Sequence, residues 1–205
     1  EPRMKMLDLF SGLGGASEAF LQNGWEIKRI ENNMLLKGVP NTTIMDVLQF
    51  EQQLESYVAQ YGESEQIKLV WASPPCTAFS TGWSSPKTIA ARNGEKYQPG
   101  EAIELVKSAK NIIDILNPQY WVIENVRGSI KHLKPILGEP TIIAGPYVLW
   151  GRFPTFEISI TETKASKDTW STDPLRANRK ALVPYALSDA LRIAIENQKT
   201  LDYWF

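Results

Sequence analysis

The hydrophobic positions of this chain form short runs that alternate with longer amphipathic stretches. One apolar run over 4–10 stops at a serine and glycine cluster, and another over 67–72 stops at Ser73-Pro74-Pro75, as buried strands do. The pattern predicts an α/β fold, a mostly parallel sheet with helices on both faces, whose ligands bind beyond the carboxyl ends of the strands. Further predicted strands are 25–30, 42–45, 120–123, 141–144 and 156–161, and the predicted helices are 16–21, 47–61, 101–116 and 185–197.

Two polar stretches show no regular pattern. Residues 81–100 carry Lys87, Arg92 and Lys96 against the single acid Glu95. A loop of about 20 residues inside a compact domain is usually functional or disordered, so we interpret this one as a mobile basic loop. Residues 162–180 form the second stretch, which is also typical of a solvated surface loop.

Length and composition limit the class of protein. With 205 residues, 43% of them hydrophobic and 22% charged, the chain fits one globular domain over 1–205 rather than a disordered or membrane protein. No apolar run approaches the roughly 20 residues of a membrane span, and no signal-peptide pattern opens the chain, so we expect a cytoplasmic protein. Cys76 and His132 are the only residues of their types, which excludes an internal disulfide and a cysteine/histidine zinc site.

The charge is unevenly distributed along the chain. Residues 1–66 carry 5 basic and 10 acidic side chains, whereas residues 67–205 carry 17 and 13. A local basic surface is enough to contact a nucleic-acid backbone, although the same split also arises among ordinary solvated faces.

The segment from Asp8 to Gly15 places three glycines where the first strand turns into a helix, which lets backbone approach a ligand closely. Its spacing is not the G-x-G-x-x-G of dinucleotide-binding turns. Glu31 ends the second strand and can accept hydrogen bonds from a ribose diol, and Asp46 follows the third strand and can accept one from an adenine amine. These acids suit an adenosine cofactor, or they simply cap strand ends at the surface.

The segment 73–80 holds the only thiol of the chain in a stiff turn after the fourth strand. A lone cysteine is usually a small buried hydrophobe, but this position also suits an exposed nucleophile. Glu124-Asn125-Val126 ends the next strand, so the Glu124 carboxyl group could face the thiol of Cys76 across the crevice. A carboxylic acid there can donate a proton to a ring nitrogen if burial raises its pKa.

The motifs 8–15, Pro75-Cys76 and Glu124-Asn125-Val126, in this order, resemble those of the cytosine-C5 DNA methyltransferases. The resemblance covers about residues 4–127. It implies the Rossmann-like fold of S-adenosylmethionine-dependent methyltransferases, with Phe10 against the adenine and Glu31 on the ribose. The cofactor-binding residues that it implies are Asp8, Phe10, Gly12, Leu13, Gly15, Glu31, Asn32, Asp46, Val47, Pro75 and Leu105.

The resemblance also implies the chemistry. The thiolate of Cys76 would add to C6 of a flipped-out cytosine, and Glu124 would hold N3 and the exocyclic amine while C5 takes the methyl group. Ser80, which closes the segment around Cys76, is included among the candidate catalytic residues. Residues 81–100 occupy the position of the family's mobile catalytic loop.

Three departures from the family pattern lie after residue 127. No glutamine-x-arginine-x-arginine motif is visible, and Arg152 is the candidate for its base-contacting arginine. The glycine-asparagine element that helps close the cofactor pocket is missing, and Val183-Pro184 with the following helix could replace it. Residues 157–180 are too few for the usual target recognition domain, so that region is reduced or absent.

We therefore expect DNA to be contacted by 81–100, by Arg127, Lys131 and Lys134, and by 164–180, in a prokaryotic or phage-infected cell. A separate specificity subunit could supply recognition. Two alternatives stay open. One is the same chemistry on RNA or a free cytosine nucleotide, and the other is a non-catalytic relative that binds DNA or depends on a partner.

Overall fold

A computed structural model describes residues 3–62, 66–80, 85–160 and 172–198. Seven strands form one sheet in the order β3-β2-β1-β4-β5-β7-β6. The strands are β1 (Lys5–Leu9), β2 (Glu26–Glu31), β3 (Thr42–Ile44), β4 (Leu69–Ala72), β5 (Tyr120–Val126), β6 (Ile142–Ala144) and β7 (Tyr147–Arg152). The helices are α1 (Gly15–Gln22), α2 (Val47–Tyr61), α3 (Pro86–Arg92), α4 (Gly100–Leu116), α5 (Ile130–Leu137), α6 (Arg176–Lys180) and α7 (Tyr185–Asn197).

The five strands from β3 to β5 are parallel, and β7 runs antiparallel between β5 and β6. The register places Leu9 beside both Ile30 and Ala72, and Ala72 beside Ile123. The carboxyl ends of β1 and β4 therefore lie level at one edge of the sheet, and β2 and β5 continue one and three residues further in the same direction. We name this edge, which carries the candidate site residues, the catalytic edge.

Helices cover both faces of the sheet, because the central strands are apolar on both sides. Alternate residues of β1 enter different cores: Met6 packs with α1 and α7 on one face, and Leu7 packs with α2 and α4 on the other. A third cluster joins Phe79, α4, α5 and β7. No helix within the described ranges is long and apolar enough to cross a membrane.

Most of the predicted elements are present, and the fold is the mixed α/β sheet that the pattern indicates. The helix prediction over 47–61 is confirmed at both ends. The strand predicted over 120–123 continues to Val126, so Glu124 and Asn125 lie inside β5 rather than beyond its end.

Two regions differ from the sequence prediction. Residues 86–92, inside the predicted irregular loop, form α3, which Pro86 begins and which Ser85 caps by accepting a hydrogen bond from the Thr88 N–H. The strand predicted over 156–161 is wrong for its described residues, since 153–160 join no ladder. Residue 161 lies outside the described ranges, as do 81–84 and 162–171 of the two polar stretches.

Candidate active site

The turn between β1 and α1 is a tight glycine loop that packs against the segment before α7. Phe10, Gly12 and Gly14 all have positive φ, of 56°, 54° and 82°. A Cβ at Gly15 would lie 2.5 Å from the Val183 carbonyl oxygen, so only glycine permits the approach of the segment before α7. The loop is a narrow cradle of backbone at the catalytic edge.

A buried polar network lies beneath this glycine loop. The Arg29 side chain is fully buried; its Nε donates to Ser17 Oγ at 2.8 Å, and its Nη2 donates to the Gly14 carbonyl at 3.3 Å and to Glu18 at 3.1 Å. Ser17 Oγ in turn donates to Asp8 Oδ2 at 2.5 Å. Burial raises the pKa of Asp8 to about 7, although the Ser17 hydrogen bond and the Arg29 charge act in the opposite direction.

Asp8, predicted to contact the cofactor, is completely buried and is directed at Ser17 under the loop. The structure therefore places it as a support for the loop rather than on the pocket surface. No sequence signal identifies Arg29 as its neighbour, because a lone arginine in a strand is ordinarily solvated.

Glu31 ends β2 beside the glycine loop. Its carboxylate accepts the Gly12 N–H at 2.8 Å through Oε2 and the Asn33 N–H at 2.8 Å through Oε1. It is 7% exposed, and each oxygen keeps a lone pair for a ribose hydroxyl. Asp46 caps α2 through Oδ1, which accepts the Leu48 N–H at 2.8 Å. Both acids thus hold local structure at the catalytic edge as well as being available to a ligand.

The remaining predicted cofactor residues border the same edge with different exposure. Phe10, Leu13 and Leu105 are half-buried, Asn32 and Pro75 are exposed, and Val47 is buried.

The turn that carries Cys76 is fastened to the two strands beside it. The Ser73 N–H donates to the Leu9 carbonyl at 3.1 Å, and Asn125 Nδ2 donates to the Pro74 carbonyl at 3.1 Å. Cys76 is half-buried and opens a short 3-10 helix, Thr77–Phe79, whose last residue is fully buried against α4, α5 and β7. Ser80 follows, and its N–H donates to the Cys76 carbonyl at 3.1 Å.

Glu124 lies in β5 one residue beyond Ile123, which is the partner of Ala72 at the end of β4. Its side chain is at the catalytic edge and only 8% exposed. The structure thus brings Glu124 and the Cys76 turn together on neighbouring strands, with the glycine loop one strand further along.

Arg152 is not brought to this group. It lies beside Trp121 near the beginning of β5, three positions and about 10 Å from Glu124 along the strand. Its guanidinium donates to the Pro118 carbonyl at 2.6 Å and to the Gln119 carbonyl at 3.1 Å. The interpretation of Arg152 as the base-contacting arginine is therefore corrected: in this structure it caps the opposite end of the sheet.

A different arginine stands at the catalytic edge. Arg127 follows β5 directly, is exposed, and its Nε donates to the Gly145 carbonyl in the β6–β7 turn at 2.7 Å. Burial lowers the pKa of the His132 imidazole, and the charges of Lys131 in α5 and Lys87 in α3 lower it further. His132 packs against Phe79, so this basic surface of α3 and α5 adjoins the Cys76 turn.

Together these features define an α/β protein with a Rossmann-like fold whose glycine cradle and single thiol share one edge of the sheet. The model of the C-5 cytosine-specific DNA methylase family matches residues 4–137, well over half of the chain. The chain belongs to this family, and its cofactor is S-adenosylmethionine.

Curated relatives agree with the family over much the same share of the chain. It is 24% identical over 156 residues to DNA (cytosine-5)-methyltransferase 1 of Gallus gallus, covering 69% of this chain and 10% of the relative. It is 27% identical over 150 residues to DNA (cytosine-5)-methyltransferase PliMCI of Paracentrotus lividus, covering 64% and 9%. The chain thus spans about a tenth of the length of these relatives.

Among solved structures, the chain is similar to the Entamoeba histolytica methyltransferase EhMeth, at 17% identity and a TM-score of 0.47, covering 81% of this chain and 58% of the other. It is also similar to the S. pombe Dnmt2 methyltransferase, at 22% identity and a TM-score of 0.35, covering 62% and 36%.

Proposed function

We propose that this protein transfers the methyl group of S-adenosylmethionine to C5 of cytosine in DNA, with Cys76 as the nucleophile and Glu124 as the group that binds the cytosine edge. The observation that carries the proposal is the hydrogen bond from Asn125 to the Pro74 carbonyl. It fastens the turn of the only thiol to the strand of the buried carboxyl group, at the edge where the glycine loop lies.

The cradle fits the cofactor on structural grounds. Glu31 presents a buried carboxylate between the glycine loop and Asn33, which suits the two hydroxyl groups of a ribose. Ser11 Oγ is buried in the same loop and makes no hydrogen bond with any described residue. Bound S-adenosylmethionine supplies an electrophilic methyl group at this edge.

The thiolate of Cys76 attacks C6 of cytosine, which forms an S–C6 bond and makes C5 nucleophilic. The Glu124 carboxyl group donates its proton to N3 and accepts a hydrogen bond from the exocyclic amine, which offsets the charge that develops on the ring. C5 takes the methyl group as the bond between that methyl group and the cofactor sulfur breaks, which leaves S-adenosylhomocysteine. Loss of the C5 proton to water then breaks the S–C6 bond, expels the Cys76 thiolate and restores the aromatic ring, and N3 returns its proton to Glu124. This route needs the base outside the helix stack, so the target nucleotide is flipped into the cleft.

The basic surface of α3 and α5, with Arg127, is the proposed contact to the DNA backbone. Lys134 pairs with Glu139, which makes it the weaker contributor. Ile160 lies against Gly145 at the catalytic edge, and α6 lies against the glycine loop, so the described chain on both sides of 161–171 borders the cleft.

The experiment is methyl transfer from radiolabelled S-adenosylmethionine to duplex DNA, with transfer RNA and dCMP as competing substrates. We expect label at C5 of cytosine in DNA, no transfer by C76A, and a rate at least about 100-fold lower for E124Q. Label only on RNA or the nucleotide would assign the same chemistry to another substrate.

DNA containing 5-fluorocytosine tests the covalent step separately. Fluorine at C5 cannot leave as a proton, so the enzyme should stay attached to the DNA in denaturing gels. The C76A variant should leave no such band. Attachment by C76A, or undiminished methylation by that variant, would refute the role of Cys76.

A further inference from the structure

His132 of α5 is the only histidine of the chain, and its imidazole lies beside the turn of the nucleophile. Its ring packs on the Phe79 ring, with 5.7 Å between the two ring centroids. Phe79 is fully buried and ends the short 3-10 helix that follows Cys76. Helix α3 packs against the same 3-10 helix, so α3, α5 and the Cys76 turn meet at this histidine.

One nitrogen of this imidazole has no hydrogen-bond partner. His132 Nε2 is buried and makes no hydrogen bond with any described residue. Buried polar atoms are almost always hydrogen-bonded, so this nitrogen indicates a group that completes the site. The charged side chains that act on the imidazole are Lys131, its neighbour in α5, and Lys87 of α3. Both are cations that can accept no hydrogen bond, so the completing group that suits all three side chains is an anion.

The two lysines are available to such an anion. Within the described ranges neither Lys87 nor Lys131 forms an ion pair, whereas Lys134, the other lysine of α5, pairs with Glu139. Lys87 is half-buried and Lys131 is exposed. Two lysines without acidic partners, on two helices that meet at a histidine, form a site of the size and charge that one phosphate group needs.

We infer that His132, Lys87 and Lys131 together bind one phosphate of the DNA backbone beside the Cys76 turn, and that the imidazole takes up a proton from solvent as they do so. The inference rests on the proposed function and adds a proton-dependent contact to it. DNA binding should therefore consume a proton and become stronger as pH falls.

The physical reason lies in the charges around the ring. In the free protein, burial and the charges of Lys131 and Lys87 lower the pKa of the imidazole, which keeps it neutral at pH 7. A bound phosphate offsets both lysine charges and accepts a hydrogen bond from Nε2, and both effects favour the imidazolium.

The first test is an NMR titration of the native protein, prepared without a histidine tag, so that the single imidazole resonance belongs to His132. The titration is made on the free protein and on its complex with a saturating duplex oligonucleotide. We expect the midpoint to move to higher pH in the complex. A midpoint that stays in place or moves to lower pH would overturn the inference. Inorganic phosphate at the concentration of the DNA should move the midpoint less, and an equal shift would assign the site to free phosphate instead.

The second test is DNA affinity, measured by fluorescence anisotropy at constant salt between about pH 6 and about pH 8. The native protein should bind about threefold or more tightly at the lower pH. H132Q keeps a hydrogen-bonding side chain but cannot titrate, so its affinity should lose this pH dependence. K134A is the matched control, because it removes a charge of the same helix and should keep the pH dependence of the native protein.

The outcomes separate this inference from the proposed function. The same pH dependence in H132Q and in the native protein would overturn the phosphate site and leave the methyl transfer standing. A native protein that neither binds nor methylates DNA would overturn both. Melting temperatures identify a variant that does not fold, and in that case the titration of the native protein still decides.

Discussion

Asn125 Nδ2 donates a hydrogen bond to the Pro74 carbonyl at 3.1 Å, which ties β5 to the turn that carries Cys76. The amide is 1% exposed, and its Oδ1 accepts the Val126 N–H at 2.9 Å, so both of its ends are engaged. Removing it leaves the Pro74 carbonyl without this donor. We therefore expect Asn125 to position the Cys76 turn relative to Glu124.

The N125A variant should lower the maximal methylation rate by about 10- to 100-fold and leave the affinity for S-adenosylhomocysteine within about twofold. The reason is that the glycine loop and Glu31 follow β1 and β2, and neither takes part in this bond. Single-turnover kinetics and calorimetry measure the two quantities. The N111A variant, which removes an exposed amide bonded to Glu51 elsewhere, should change neither, and a matching rate loss there would argue against a specific role for Asn125.

Gly14 and Gly24 have nearly the same φ, 82° and 84°, but different surroundings. A Cβ on Gly14 would lie 2.6 Å from the buried Arg29 guanidinium, whereas a Cβ on Gly24 would meet nothing within 4 Å. Gly24→Ala should cost about 1 kcal/mol of unfolding free energy, the backbone cost alone. Gly14→Ala should cost about 3 kcal/mol or more and should also weaken S-adenosylhomocysteine binding.

Denaturant unfolding of the two alanine variants measures this difference directly. Equal losses of unfolding free energy would show that the Arg29 side chain can move aside for the new Cβ without destabilising the protein. The interpretation of the Arg29 network as a rigid support for the loop would then be wrong.

Much of the fold is predictable from the sequence because hydrophobic runs that stop at glycine, proline or an acid mark parallel strands well. The alternation of apolar and polar residues is a less reliable sign of a strand. Phe156, Ile158 and Ile160 alternate with exposed residues and pack on the core, yet they pair with no strand. A period of two reports which side chains are buried, but a ladder also needs a partner with unpaired backbone. The neighbouring β7 is absent from the prediction, because Gly145-Pro146 and Gly151 bound a run of only four apolar residues.

The motifs locate the thiol, Glu124 and the glycine loop, since each lies at the end of a strand that the pattern marks. They cannot locate contacts between distant segments. Asn178 lies near Gly12 although more than 160 residues separate them in the sequence. The antiparallel direction of β7, which the sequence does not reveal, places Arg127 at the catalytic edge and Arg152 at the opposite end of the sheet. The sequence predicts that Asp8 binds the cofactor, and it gives no sign of the buried network with Ser17 and Arg29 in which the structure places this residue.

The Asp8 carboxyl group should make the unfolding free energy of the protein decrease as pH rises. Its pKa is raised by burial to about 7, so the folded protein holds a proton between about pH 4 and pH 7 that the unfolded chain releases. The contribution of this carboxyl group is therefore greatest below pH 4, declines as pH rises towards 7, and is lost above it. The slope is about 1.4 kcal/mol per pH unit within that window.

The measurement is the difference in unfolding free energy between the native protein and D8N across pH 4 to 8, and the native protein should lose its advantage as pH rises. D173N is the control, because the hydrogen bond from Arg179 lowers the pKa of the Asp173 carboxyl and that group's effect appears at lower pH. A flat difference for D8N would mean that Asp8 is ionised throughout the window.

Arg127 and Arg152 provide a matched pair for the proposed DNA contact. Each guanidinium donates through Nε to a backbone carbonyl, of Gly145 at 2.7 Å and of Gln119 at 3.1 Å, but the two residues stand at opposite ends of the strand pair β5–β7. R127A should weaken DNA binding several-fold at about 0.1 M salt and reduce the salt dependence by about one phosphate contact. R152A should leave both unchanged and cost about 1 kcal/mol of stability, because it removes hydrogen bonds far from the cleft. Fluorescence anisotropy over a salt series distinguishes them. If R152A reduces DNA affinity while R127A does not, the DNA lies at the other end of the sheet and the proposed substrate orientation is wrong.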